Sequence, residues 1–153
     1  MGFEFTDKAV NFFTRVGVQR REGAQSQTGK FDSLLECYWL CCQIGIKQDE
    51  YLPSGEGKEI VRDLKPMMSV ALQIQGIGFY YHCKREGVSE EKELILNEME
   101  RFYHETSEIE LGQPGYRLLN GFANGGFELL FDSVEGTYEL SSLLIQIASM
   151  LSD

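Results

Sequence analysis

Two histidines, three prolines and one tryptophan are a sparse supply for a chain of 153 residues, and the shortages exclude chemistry. Imidazole performs much of the acid–base work done near neutral pH and is the commonest metal ligand. With His82 and His104 alone, a histidine-rich metal centre has too few ligands. His104 stands four residues after Glu100 and three after Arg101, so the Glu-x-x-His motif of di-iron carboxylate bundles is missing. No stretch approaches the roughly 20 apolar residues that span a bilayer. The opening Met1-Gly2-Phe3-Glu4-Phe5 lacks the basic-then-apolar layout of a secretory signal. These absences predict a cytoplasmic protein without a membrane segment.

Positive charge is also scarce. Fourteen Lys and Arg face 24 Asp and Glu, a net charge of −10, and an acidic surface repels nucleic acid at long range. The imbalance is uneven. Residues 1–30 carry five basic against three acidic side chains, whereas the remainder carries nine against twenty-one. Between Glu86 and Gln113, nine Glu oppose only Lys92 and Arg101. Arg15, Arg20, Arg21 and Lys30 are therefore the candidate contacts to DNA phosphates or to an acidic partner protein. The plainer reading of the same four is solubility and pairing with the acidic helices. A fully acidic mimic of nucleic acid is a further reading, supported by net charge alone.

Four cysteines do not form a disulfide framework here. Cys37, Cys41 and Cys42 lie in one apolar run and Cys83 near the end of another, so packed, free thiols in a reducing compartment are expected. Cys37, Cys41, His82 and Cys83 could supply four zinc ligands, but their spacing matches no finger or ribbon. Cys42 as a nucleophile would need a nearby His and an electropositive setting. Gly55-Glu56-Gly57-Lys58 echoes a phosphate-binding loop without the strand or the full motif. No enzyme activity and no cofactor are expected.

What the chain does have is core material. Apolar residues make up 42%, with ten Phe and seven Tyr, enough for one domain over residues 1–153 with a single core. Apolar residues recur at helical spacing. A first helix is capped by Thr6 with Phe5, Ala9, Phe12 and Val16 on its inner stripe, and Gly17 stops it. A polar connector follows from Gln19 to Gly29. The second helix carries Phe31, Leu34, Leu35, Tyr38, Cys41 and Cys42 and ends at Gly45; Trp39 and Leu40 widen its stripe until it is apolar nearly all round, as befits a central or partner-covered helix. A connector over 46–57 leads to a third segment from Lys58, interrupted at Pro66, whose later face is Val70, Ile74, Ile77 and Tyr81. A fourth helix is capped by Ser89 and faces inward through Ile95, Met99 and Phe102. Gln113-Pro114-Gly115 opens a fifth, and Thr137 caps a sixth lined by Leu140, Leu143, Leu144, Ile147 and Leu151. The predicted fold is all-α, a compact bundle of five to six helices.

The least ordinary run is Phe122-Ala123-Asn124-Gly125-Gly126-Phe127-Glu128. Asn and Gly disfavour a helix, so Gly121, Asn124, Gly125 and Gly126 mark either close packing, inside the fold or with a partner, or a helix that breaks and restarts. Together with Phe31-Asp32, Tyr38 and Cys42-Gln43-Ile44-Gly45-Ile46-Lys47, this run resembles segments of small helical accessory proteins encoded beside bacterial DNA-phosphorothioation (Dnd-type) systems. The resemblance covers about a third of the chain and brings no catalytic residue. It implies an accessory subunit of an antiphage defence assembly. The leading expectation is a non-catalytic adaptor that docks onto a larger protein or onto its own copies, with Trp39 and the 121–126 glycines as contacts. A DNA-contacting component and a small thiol or metal-dependent enzyme are the alternatives.

Overall fold

The structure is a computed structural model that describes residues 2–17, 34–53, 57–134 and 138–152. Arg20, Arg21 and Lys30, Phe31-Asp32 and the cap Thr137 lie outside the described residues. The fold is mostly helical. Strand β1 (Phe3–Thr6) leads into α1 (Asp7–Arg15). Helix α2 (Leu34–Gln48) is followed by strand β2 (Gly57–Val61) and a 3-10 segment (Lys65–Val70). Helices α3 (Ala71–Glu86), α4 (Lys92–Phe102), α5 (Gln113–Ser133) and α6 (Leu140–Leu151) complete it.

The six helices bear out the expected helical fold, to which the two strands add a small sheet. The strands pair antiparallel, Phe3 opposite Val61 and Thr6 opposite Gly57. In β1, Phe3 and Phe5 point into the core and are fully buried, while Glu4 and Thr6 are partly exposed. That is the period-two alternation of a strand, compressed into four residues. Phe5 therefore belongs to β1 and not to the first helix. Thr6 caps α1 as expected, its Oγ1 accepting the Ala9 N–H at 3.3 Å, and Gly17 follows with φ +95°. The segment beginning near Lys58 is strand, not helix; Lys58 pairs with Asp7 at 2.9 Å, and Pro66 sits in the first turn of the 3-10 segment that leads into α3.

The centre of the fold is the crossing of α2 and α5. Gly45 does not end α2, which continues to Gln48 and turns at Asp49 with φ +54°. A Cβ on Gly45 would lie 2.1 Å from the Phe122 carbonyl oxygen, and one on Gly126 would lie 1.8 Å from that of Cys41. The two backbones thus meet with no side chain between them. Helix α5 runs unbroken through Asn124-Gly125-Gly126, so the break and restart does not occur. The helix-propensity cost of about 1 kcal/mol per glycine is offset by this close packing. The same strip of α5 carries the chain as it leaves α2. The Leu52 N–H donates to the Gly121 carbonyl at 3.0 Å. A Cβ on Gly125 would meet the Glu50 carbonyl oxygen at 2.2 Å, and one on Gly121 would meet the Tyr51 ring at 2.1 Å.

Below the crossing, Asn120 ties β1 to both helices. Its Oδ1 accepts the Glu4 N–H at 3.0 Å and the Tyr38 hydroxyl at 2.7 Å, and its Nδ2 donates to the Gly2 carbonyl at 3.2 Å. Two turns on, α5 enters an aromatic cluster in which Phe127 contacts the rings of Phe5, Phe12 and Phe13. Helix α6 closes one side of the fold, with Leu143 and Ile147 buried. Lys47 near the end of α2 reaches its last turn and donates to the Leu151 carbonyl at 2.9 Å.

Candidate functional site

Three features stand out, two on α3 and α4 and one buried in α5. The first is apolar. Nine large hydrophobic residues are exposed among the described residues, and seven of them lie between positions 68 and 99. Met68, Leu72 and Tyr80 are 57%, 83% and 61% exposed. Leu72, Gly76 and Tyr80 follow one another at four-residue steps, so they share one stripe of α3. A Cβ at Gly76 would meet nothing within 4 Å, which leaves a notch between Leu72 and Tyr80. Leu94, Leu96 and Met99 add exposed apolar surface on α4, which packs against α3. Between the two helices a groove of 440 Å³ is lined by Phe79, Tyr80, Cys83, Val88 and Ile95, with Lys84 and Glu90 at its border.

The second is a polar bridge between α3 and α4. His82 Nε2 lies 2.8 Å from Glu98 Oε2, with side chains 4% and 16% exposed. Arg101 Nη1 donates to Glu98 Oε1 at 2.8 Å. The His82 hydrogen bond, stronger than the opposing effect of burial and aided by Arg101, holds the Glu98 carboxyl below its ordinary value. An ionised Glu98 only accepts, so His82 Nε2 carries the proton of that bond. A carboxylate whose folded-state value is lowered stabilises the fold above its unfolded value, and the contribution is lost as pH falls through the lowered one. Replacing Glu98 by Gln is expected to cost about 1–2 kcal/mol near neutral pH, with the gap to wild type narrowing in acid. Urea denaturation of both proteins across pH checks this.

The third is the glycine strip of α5. Gly121, Asn124, Gly125 and Gly126 are buried and spaced to receive α2 and the 49–52 connector. Asn124 differs from Asn120: neither its Oδ1 nor its Nδ2 has a hydrogen-bond partner among the described residues. Trp39 is 8% exposed and lies in the core, not on a surface open to a partner. Arg15 places its guanidinium 3.9 Å over the Tyr138 ring, which joins α1 to the start of α6 and uses the cation for packing.

The sulfur atoms are not brought together as a site. Cys37, Cys41 and Cys42 are buried and Cys83 is half-buried. Burial, the largest cause in each, pushes all four thiols above their ordinary value, the reverse of what a nucleophilic thiolate needs. Among the described residues no three His, Cys, Asp or Glu side chains are grouped as ligands for a metal. Gly57-Lys58 of the phosphate-loop echo begins β2. No helix of the described residues is long and apolar enough to cross a membrane.

Sequence reasoning missed the α3–α4 face. It assigned Ile77 and Met99 to inner stripes, yet they are 40% and 39% exposed; α3 turns Ala71, Ile74, Gln75, Gly78 and His82 inward instead. The signal available was the shortage of polar residues on the outer side of α3. Compared with known protein families, with curated proteins and with solved structures, the chain matches none.

Proposed function

We propose that this chain is a non-catalytic accessory subunit of a multi-component bacterial assembly, of the antiphage-defence kind that the Dnd-type resemblance implies. It docks through its α3–α4 face onto a basic amphipathic helix of a larger protein. The observation that carries this reading is the gathering of seven of nine exposed large hydrophobics between Met68 and Met99. Within it, Leu72 and Tyr80 flank the bare Gly76 on one stripe of α3 beside the groove lined by Phe79 and Ile95, and exposed apolar surface of this kind marks interaction sites. The occupant follows from charge. Glu90, Glu91, Glu93 and Glu100 are exposed beside the apolar residues, and the chain carries −10 overall, so two copies would bring like charges together. A helix with apolar anchors at three- and four-residue steps and Lys or Arg along its flanks satisfies both groove and rim.

The test uses two labelled amphipathic peptides, one with Leu and Lys and one with Glu in place of Lys, followed by fluorescence anisotropy. The Lys peptide is expected to bind saturably and more weakly at high salt, and Leu72→Asp with Tyr80→Asp to weaken it about tenfold or more. Equal binding of the Glu peptide, unchanged binding by the folded double variant, or self-association that excludes the peptide would each contradict the proposal. The DNA-contacting alternative depends on Arg20, Arg21 and Lys30, which lie outside the described residues, and on Arg15, which is stacked on Tyr138.

A further inference from the structure

On a different side of α3 from Tyr80, the acidic character of the protein reverses locally. Residues 82 and 85 lie about 200° and 140° around the helix from residue 80 at 100° per residue, so His82 and Arg85 leave the apolar stripe altogether. They border a cavity of 190 Å³ that Arg101 of α4 and Arg117 of α5 also line, together with Tyr51 and Glu86. Three guanidinium groups from three helices thus converge against one lining carboxylate, in a chain whose net charge is −10.

Two of the three arginines are not neutralised by the protein. Among the described residues no carboxylate pairs with Arg85 or Arg117. Arg85 is held by an aromatic plane instead, its guanidinium carbon 3.7 Å over the Tyr51 ring. Tyr51 is in turn fixed by Gly121, whose missing Cβ leaves room for the ring, and by its hydroxyl, 3.4 Å from the Arg117 carbonyl. The glycine strip of α5 therefore builds the platform that sets Arg85. Arg101 is positioned by Glu98, which is itself bonded to His82; one N–H of its guanidinium is used, and the others remain. Arg85 and Arg101 are thus held by Tyr51 and Glu98, and the exposed Arg117 lines the same cavity as a third cation.

We infer that this cavity binds a phosphomonoester group. A single carboxylate is satisfied by one guanidinium fork, whereas a phosphate dianion presents three terminal oxygens and a second charge, matching several converging guanidiniums. The cavity of 190 Å³, open to solvent on one side, has room for one compact oxyanion. The net charge of −10 opposes an extended polyanion at long range. The group can arrive as free phosphate or as the phosphate of a nucleotide. A second cavity of 580 Å³, lined by Lys47, Asp49, Tyr81, Lys84 and Arg85, meets the first at Arg85 and offers the half-buried Tyr81 ring to a base.

The test is calorimetric titration of the full chain at low salt with inorganic phosphate, with a nucleoside 5′-monophosphate, and with a single-stranded oligonucleotide lacking a terminal phosphate. Saturable binding of phosphate at one site per chain is expected. Arg117→Ala, at an exposed position, is expected to weaken it about tenfold or more, while Arg62→Ala leaves it unchanged; thermal unfolding confirms that both variants fold. Equal affinity for phosphate and nucleotide means that the phosphoryl group alone is read, and tighter nucleotide binding means that the adjoining cavity takes the base. Absence of saturation by both, wild-type affinity in Arg117→Ala, or oligonucleotide binding that phosphate does not displace would overturn the inference.

Discussion

Gly126→Ala is expected to destabilise the protein by about 3 kcal/mol or more, at the severe end of overpacking, and to leave much of it unfolded at ordinary temperature. The reason is geometric. The added methyl would sit 1.8 Å from the Cys41 carbonyl oxygen and 2.7 Å from the Gly45 nitrogen. Both are backbone atoms inside a helix, so neither can rotate away as a side-chain end would. Relief requires α2 and α5 to move apart, which opens gaps along their whole contact and forfeits dispersion over many atoms. Gly76→Ala is the control. It adds the same methyl to a helix interior with nothing within 4 Å, and the gain in helix propensity should raise stability by up to about 1 kcal/mol. Urea denaturation of the two variants separates glycines that hold a crossing from a glycine that leaves a notch.

The second large effect contrasts two asparagines one turn apart. Asn120→Leu removes the partner of three groups at once: the Glu4 N–H, the Tyr38 hydroxyl and the Gly2 carbonyl. Each buried group left unpaired costs about 1–3 kcal/mol, so a loss of about 3 kcal/mol or more is expected, with β1 detaching first. Asn124→Leu has the opposite sign. Its amide is buried without a partner among the described residues, so an apolar group of similar size removes a desolvation cost and should raise stability by about 1 kcal/mol. Denaturation midpoints moving in opposite directions would distinguish a structural amide from a strained one. Equal losses would mean that Asn124 has found partners outside the described residues.

Both contrasts show where local reading of the sequence succeeds and where it fails. Helical spacing is plain in α6, where Leu143 and Ile147 are buried four residues apart; α2 and α5 are buried on most sides, α5 without a gap from Leu118 to Phe127. Phe3 and Phe5 were not read as a strand, because four residues alternate too briefly to be told from a helical stripe that also contains Phe5. Their partner, β2, lies more than fifty residues away and supplies the hydrogen bonds that decide the matter. Gly45 reads as a helix stop when its neighbours alone are considered. It is an interior residue because Gly126, eighty-one positions later, needs its backbone bare. The oddness of Asn124-Gly125-Gly126 was visible; the partners that explain it, Cys41, Glu50 and Gly45, were not.

The candidate sites were less legible still. Helix α3 is apolar on several sides, so periodicity could not tell the buried Ile74 from the exposed Leu72. Tertiary placement decides, through α5 on one side of α3 and open solvent on the other. Arg85, Arg101 and Arg117 follow one another at sixteen-residue intervals in sequence, and of the three only Arg85 has a basic neighbour, Lys84. Charge counting along the chain therefore pointed to Arg15, Arg20, Arg21 and Lys30 and passed over a convergence that exists only once α3, α4 and α5 are packed.

The central functional claim is that an outside helix covers the α3–α4 face. Amide hydrogen exchange, measured on the protein alone and saturated with the Leu/Lys amphipathic peptide, tests it most directly. Slower exchange confined to residues 68–102 is the predicted result, because those amides lie beneath the occupied surface. Unchanged exchange there, or slowing in α1 and α6 instead, would contradict it.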